Sequence, residues 1–79
     1  MDEHRVAPRR RILKTGTIEL GGGTIDCTVK NISETGAALD VVTPLFIPDR
    51  FVLYISSDQF KRRCRIVRRT QRRIGVTFE

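Results

Sequence analysis

Apolar and polar residues alternate with a period of two through almost the whole chain, and this pattern constrains the fold more than any other feature. Ile25, Cys27 and Val29 alternate with polar neighbours in segment 24–30, and similar runs occupy segments 12–20, 37–41, 50–56, 60–69 and 74–78. Such alternation is typical of strands with one buried face. Turn residues separate the runs at intervals of about a dozen residues. We therefore predict an all-β fold with six short antiparallel strands.

The length of 79 residues limits the chain to one small domain without a deep cleft. An open sheet would leave one apolar face in water, so we expect the six strands to close into a small barrel. Residues 12–79 are predicted to form this barrel, and residues 1–11 to precede it as an arm. The sequence has no apolar run of membrane-spanning length and no apolar signal core after Met1. We therefore expect a cytoplasmic protein with no membrane span.

Two connections between strands have distinctive chemistry. Gly21-Gly22-Gly23 separates the first two strands, and glycine permits the positive φ angles of mirror-image hairpin turns. Segment 43–49 contains two prolines, which are unsuited to a central strand. We expect this segment to cross one end of the barrel as a loop, with Phe46 and Ile47 filling the barrel mouth.

The residues that catalysis or metal binding would need are scarce. Cys27 and Cys64 lie at apolar positions of predicted strands, so we expect reduced thiols in the core. His4, the single histidine, lies in the arm, and no nucleophile has a base in a recognisable arrangement. We expect no enzymatic activity, no metal site and no cofactor.

Positive charge suggests an anionic partner. The net charge is +6, and most of the basic residues are arginines, whose planar guanidinium matches phosphate oxygens and the acceptor edge of guanine. Arg5 and Arg9 form the pattern R-x-x-x-R in the arm, and Arg10 follows directly. Pro8 disfavours a helix here, so we predict a flexible arm over residues 1–11. Taken alone, a solvated basic tail explains this arm equally well.

Residues 31–36, which we call the corner, connect the second and third predicted strands. Their sequence Asn31-Ile32-Ser33-Glu34-Thr35-Gly36 has the form N-x-S-x-x-G. Asn and Ser can bond to nearby backbone, and Gly can adopt a positive φ or let another group approach closely. An isolated match of this kind is most often turn chemistry, and a small ligand-binding site is the other interpretation.

The two motifs together, in this order and on these elements, resemble the PilZ domain family of bacterial receptors for cyclic di-GMP. The resemblance covers essentially the whole chain. It includes the Gly-Ala-Ala-Leu of residues 36–39, the proline-bearing loop, and the closing Arg-Ile-Gly-Val-Thr-Phe of residues 73–78. The family has a six-stranded antiparallel barrel whose N-terminal arm folds over one end to hold the dinucleotide.

The resemblance implies a ligand, a set of binding residues and a mode of signalling. Arg5 and Arg9 match the two motif arginines, and Arg10 is expected to add a phosphate contact. Asn31, Ser33 and Gly36 match the family's second motif, in which the polar pair contacts guanine and the backbone near the ligand. Binding of cyclic di-GMP is expected to order the arm and create a surface for a protein effector.

A second basic cluster leaves two alternatives open. It spans residues 61–73 without an acidic residue and holds more than half of the 15 basic residues. It lacks the aromatic residues that would stack on bases, so we expect no sequence-specific nucleic-acid binding. The alternatives to a nucleotide receptor are a protein-interaction module with the same fold, and a small basic barrel that binds nucleic acid non-specifically.

Overall fold

The computed structural model describes the backbone of residues 10–79 and the side chains from Leu13 onward. Residues 1–9 lie outside the described part, so the prediction of a flexible arm there stays a prediction. The first strand begins at Arg10, two residues before the predicted start of the barrel. Six strands follow one another along the chain: β1 (Arg10–Leu20), β2 (Gly23–Ile32), β3 (Gly36–Asp40), β4 (Arg50–Ile55), β5 (Phe60–Arg69) and β6 (Arg73–Phe78). A single 3-10 turn, Ser56–Asp58, joins β4 to β5.

The six strands form a closed barrel in the order β1-β2-β3-β6-β5-β4, and every pair is antiparallel. The pairing of β1 with β4, from Thr17 opposite Tyr54 to Glu19 opposite Val52, closes the sheet. Closure leaves no unpaired edge in the sheet, which suits a chain this short. The predicted six-stranded antiparallel barrel is confirmed.

The core lies inside the barrel and follows the period-two pattern. In β4, for example, Phe51, Leu53 and Ile55 are buried, while the outward Val52 and Tyr54 are half-buried. The other buried residues of the core cluster are Ile18, Cys27, Val29, Ala37, Leu39, Val41, Ile47, Cys64, Ile74 and Val76.

Both cysteines are free thiols in this core, as expected. Burial in apolar surroundings raises the pKa of the Cys27 and Cys64 thiols to about 11. They are therefore protonated at neutral pH and behave as small apolar side chains.

The first hairpin turns without the backbone geometry that its glycines permit. Leu20 pairs with Gly23, which leaves a two-residue turn of Gly21 and Gly22. None of the described glycines has a positive φ. The hairpin therefore does not use the mirror-image turn that its glycines permit, because types I′ and II′ both require a positive φ at one or both central positions.

The loop of residues 41–49 fills the barrel mouth with one residue instead of two. Ile47 is 3 % exposed, but Phe46 is 80 % exposed, so the prediction for Phe46 is wrong. A turn in which the Ile47 N–H donates to the Pro44 carbonyl places these consecutive side chains on opposite sides of the loop. Only one of them can face the core.

The connections distinguish the two ends of the barrel. The loop end carries the Gly21–Gly22 turn, residues 41–49 and the turn at 70–72. The corner end carries residues 33–35, the 3-10 turn and the start of β1, which follows directly on the arm. Any ligand contact made jointly by arm and corner would therefore lie at the corner end.

Candidate ligand-binding site

The corner is held together by Ser33. Its N–H donates to the Gly36 carbonyl at 2.8 Å, and its hydroxyl oxygen accepts from the N–H groups of Thr35 and Gly36 at 3.2 and 3.3 Å. This is the hydroxyl-capped turn that Ser commonly forms. The Ser33 side chain thus has a structural role in shaping the corner.

Strand β6 fixes the corner from the side, and Gly36 makes this contact possible. The Phe78 N–H and the Thr77 hydroxyl both donate to the Thr35 carbonyl, at 2.8 and 3.2 Å. A Cβ atom at Gly36 would overlap the carbonyl oxygen of Val76. Gly36 is therefore required by the close approach of β6, since its φ is not positive.

Asn31 belongs to a row of residues that lie opposite one another across five strands. Along this cross-strand row, Arg11 pairs with Asn31, Asn31 with Ala38, Ala38 with Gly75, and Gly75 with Arg68. Ala38 and Gly75 lie between inward-facing neighbours, so they face the outside of the barrel. Two minimal side chains thus form a shallow floor between the amide of Asn31 and the guanidinium of Arg68.

Irregularities in strand pairing set the positions of Asn31 and Arg68 in this row. The β2–β3 register shifts between Val29 and Asn31, and the β5–β6 register shifts between Ile66 and Arg68. A β-bulge bends a strand and redirects the side chains beside it, and bulges are frequent next to binding sites. The shift in β5 leaves Val67 exposed on the outer surface.

Two grooves meet along the row. The main groove has a volume of about 550 Å³ and contains Asn31, Ala38, Gly75 and Arg68 with Val67, Thr70, Arg73 and Val76. The side groove has a volume of about 410 Å³ and is lined by Leu13, Lys30, Asn31 and Arg73. Both volumes fall in the range of small-molecule sites. Asn31 and Arg73 line both grooves.

Arg73 is held in place by a carboxylate on the neighbouring strand. Its Nε and Nη2 donate to the two carboxylate oxygens of Asp40 at 2.6 and 3.3 Å, and the Lys30 Nζ lies 3.8 Å from Asp40 Oδ2. The hydrogen bonds from Arg73 lower the pKa of Asp40, so the pair is ionised at neutral pH. This fork orients the Arg73 guanidinium where the two grooves meet.

The predicted site residues fall into two groups. Asn31, Ser33 and Gly36 are brought together by the corner, with Asn31 in the grooves and the other two supporting it. Arg5 and Arg9 lie outside the described residues. Arg10 starts β1 opposite Ile32, and its side chain is not among those described.

Sequence reasoning missed the part of the site that β5 and β6 contribute. Arg68 and Arg73 were grouped with a general basic cluster, and Leu13 and Val67 were not considered. The sequence signal shared by Leu13 and Val67 is weak. Both are apolar residues beside basic ones, at positions where the alternation of apolar and polar residues breaks down. A bulge explains this break at Val67.

Comparison with known protein families gives a match over nearly the whole chain. The family model of the PilZ domain matches residues 3–79. The chain belongs to the PilZ domain family. A comparison with curated proteins gave no match. PilZ domains are generally cyclic di-GMP receptors and act as binding or adaptor modules.

The described residues contain neither a metal-binding cluster nor a membrane-spanning helix. No group of three or more His, Cys, Asp or Glu side chains within the described part could hold a metal ion. No helix in the described part of the chain is long and apolar enough to cross a membrane.

Proposed function

We propose that this PilZ domain binds cyclic di-GMP across the main and side grooves, with the arm closing over the ligand from the corner end. The observation that carries the proposal is the cross-strand row, in which the small residues Ala38 and Gly75 form the floor between Asn31 and Arg68. The row connects the corner motif to β5 and β6. The candidate binding surface therefore extends beyond the corner itself.

The charges of the grooves suit the two phosphates of the ligand. Arg68 forms no ion pair with another described side chain, and Arg73 retains N–H groups beyond those bonded to Asp40. Arginine binds phosphate through charge-assisted, often bidentate hydrogen bonds. Arg5 and Arg9 would add further phosphate or guanine contacts from the arm, and Arg10 would add one from the start of β1.

The remaining lining suits the guanine bases. The Asn31 amide carries both donors and acceptors and can pair with a guanine edge. Leu13 and Val67 expose apolar surface at the side groove and the main groove respectively, where a flat base can pack. Ser33 and Gly36 would act indirectly, by keeping the corner and Asn31 in position.

Signalling would follow from ordering the arm. Fixing each arm residue costs about 1 to 2 kcal/mol of backbone entropy, which the ligand contacts must offset. The arm and bound ligand would then form a composite surface for a protein effector. The domain would act as an adaptor.

Filling the floor of the main groove tests the location of the site. Gly75→Val adds a branched side chain facing the groove, at a position whose backbone has no positive φ. We expect at least tenfold weaker cyclic di-GMP binding by calorimetry, with a cooperative unfolding transition retained. Thr17→Val, on the outer face of β1 opposite Tyr54, places the same valine side chain outside both grooves and should bind as the parent does. Equal affinities for both variants would place the ligand elsewhere.

A parent protein that gives no binding heat at high ligand concentration would favour the interaction-module alternative.

A further inference from the structure

Three large apolar side chains protrude from the loop end. Val42, Leu45 and Phe46 are 88, 78 and 80 % exposed, and all lie within five consecutive residues of one connection. Single exposed apolar residues are common on protein surfaces, but a cluster on one short loop marks an interaction site. None of the three lines the main or the side groove.

The loop that presents these side chains is fastened to the barrel. The guanidinium of Arg69 donates to the carbonyls of Pro44 and Ile47 at 2.8 and 2.9 Å, and to the Asp49 carboxylate at 3.0 Å. The Ile66 N–H donates to the Asp49 carbonyl at 2.8 Å, and the Ile47 side chain anchors the loop in the core. Leu45 and Phe46 are thus held outward by a defined backbone.

Basic groups surround the same loop. Arg69 lies beneath it, Arg50 follows it directly, and the Arg72 carbonyl accepts a hydrogen bond from the Val41 N–H at 2.8 Å. Arg72 also lines a depression beside Val42 and forms no ion pair with another described side chain.

The carboxylates at this end are mostly matched by arginines. Asp49 pairs with Arg69, Asp40 with Arg73, and Glu79 with Arg50, which leaves Asp26 in the depression near Arg72. The chain as a whole carries a net charge of +6. An anionic surface would therefore attract the protein over a distance, and Arg72 would meet it at contact.

We propose that the loop end docks on an anionic lipid bilayer, with Val42, Leu45 and Phe46 entering the boundary between headgroups and acyl chains. Arg72 would contact lipid phosphates. A few protruding apolar side chains beside Arg72, on a chain of net positive charge, suit an anionic bilayer, which adapts to their shape, better than a protein partner, which needs a broad complementary face. The site is separate from the proposed nucleotide site.

Vesicle sedimentation of the full chain tests the proposal. We expect the protein to sediment with vesicles of mixed phosphatidylcholine and phosphatidylglycerol, and to stay in solution with phosphatidylcholine alone. Leu45→Ser combined with Phe46→Ser should lower the partition coefficient about tenfold or more. Phe46→Leu, which keeps an apolar side chain, should bind nearly as the parent does. Unchanged binding by the double serine variant, or no sedimentation of the parent, would overturn the proposal.

Fluorescence tests the depth and orientation of docking. The chain has no Trp, so Phe46→Trp introduces a single indole at the loop end. Its emission should shift to shorter wavelength with anionic vesicles. Ser57→Trp, in the exposed 3-10 turn at the corner end, is the control and should show no shift. Equal shifts at both positions would contradict docking through the loop end.

Cyclic di-GMP titration of the double serine variant should give the same affinity as titration of the parent. The bilayer proposal and the nucleotide site can therefore fail independently.

Discussion

Two glycines on neighbouring strands differ in their tolerance of a side chain. A Cβ at Gly36 would overlap the Val76 carbonyl, which belongs to the backbone and cannot move without disturbing β6. A Cβ at Gly75 would lie 3.5 Å from the Arg68 Cβ, an ordinary contact distance. Gly36 is therefore a packing requirement of the corner, whereas Gly75 keeps the groove floor open.

Alanine substitutions at these two positions should have different effects on stability. We expect Gly36→Ala to lower the free energy of unfolding by about 1 to 3 kcal/mol or more, because the strands must separate to admit the methyl group. Gly75→Ala should change it by less than about 1 kcal/mol, since the space and the φ angle allow a methyl group. Urea unfolding of both variants measures the difference. Equal losses of unfolding free energy in the two variants would mean that a methyl group at residue 36 does not obstruct the packing of β3 beside β6.

Asp40 predicts a pH dependence of stability. Its pKa is lowered in the folded protein by the hydrogen bonds from Arg73. Such a carboxyl stabilises the fold above its unfolded pKa, about 3.9 for Asp, and loses this contribution as the pH falls through the folded pKa. Asp40→Asn should therefore be less stable than the parent at neutral pH, and this difference should shrink in acid. The difference will be small, because both side chains are partly exposed. Urea unfolding across pH measures it, and a difference that grew in acid would be inconsistent with this pair.

At the scale of elements, β5 combines three roles along one strand. Its first half carries outward Lys61, Arg63 and Arg65 beside β4, where Arg65 lies opposite Arg50. Glu79 lies 3.3 Å from the Arg50 Nε and 3.8 Å from the Arg65 Nε, which offsets the repulsion between these like charges. After the bulge, the strand supplies Val67 and Arg68 to the main groove and ends with Arg69 under the loop. The basic cluster seen in the sequence is therefore several different surfaces.

Arg69 should control the order of the loop without contributing to the core. Arg69→Ala removes hydrogen bonds to Pro44, Ile47 and Asp49, so local opening of the loop should become more frequent. Limited proteolysis with chymotrypsin, which cleaves after residues such as Phe46, should be several-fold faster than in the parent. Arg72→Ala is the control, since its side chain forms no hydrogen bond or ion pair with the described residues, and should be cleaved at the parent rate. Similar rates for parent and Arg69→Ala would mean that Ile47 alone fixes the loop.

At the scale of the whole molecule, the sequence predicts those structural features that depend only on a local pattern of residues. Alternation around Cys27, Leu53 and Ile74 identified buried strand faces, because the period of two is a property of each strand by itself. The corner was predicted from Ser33 and Gly36, although the reason for Gly36 proved to be the approach of β6. Phe46 was assigned to the core incorrectly, because Phe46 and Ile47 are both apolar and only the turn geometry decides between them.

The cross-strand row could not be predicted in the same way. It depends on which residue of β2 faces Ala38 and which residue of β5 faces Gly75, and bulges set both registers. Pairing across strands distant in sequence is a tertiary property, and a shift of one residue would turn Arg68 away from the groove. The candidate site therefore combines a predicted corner with a face that only the closed barrel reveals.

The measurement that tests the nucleotide site most directly is a calorimetric titration of cyclic di-GMP into the parent, Arg68→Ala and Arg63→Ala. Both variants remove one exposed arginine from β5, and neither arginine forms an ion pair with another described side chain, but only Arg68 lines the main groove. We expect Arg68→Ala to weaken binding about tenfold or more, consistent with a charge-assisted hydrogen bond worth about 1.5 to 3 kcal/mol. Arg63→Ala should bind as the parent does. Equal affinities for the two variants, or a larger loss with Arg63→Ala, would contradict a cyclic di-GMP site on the cross-strand row.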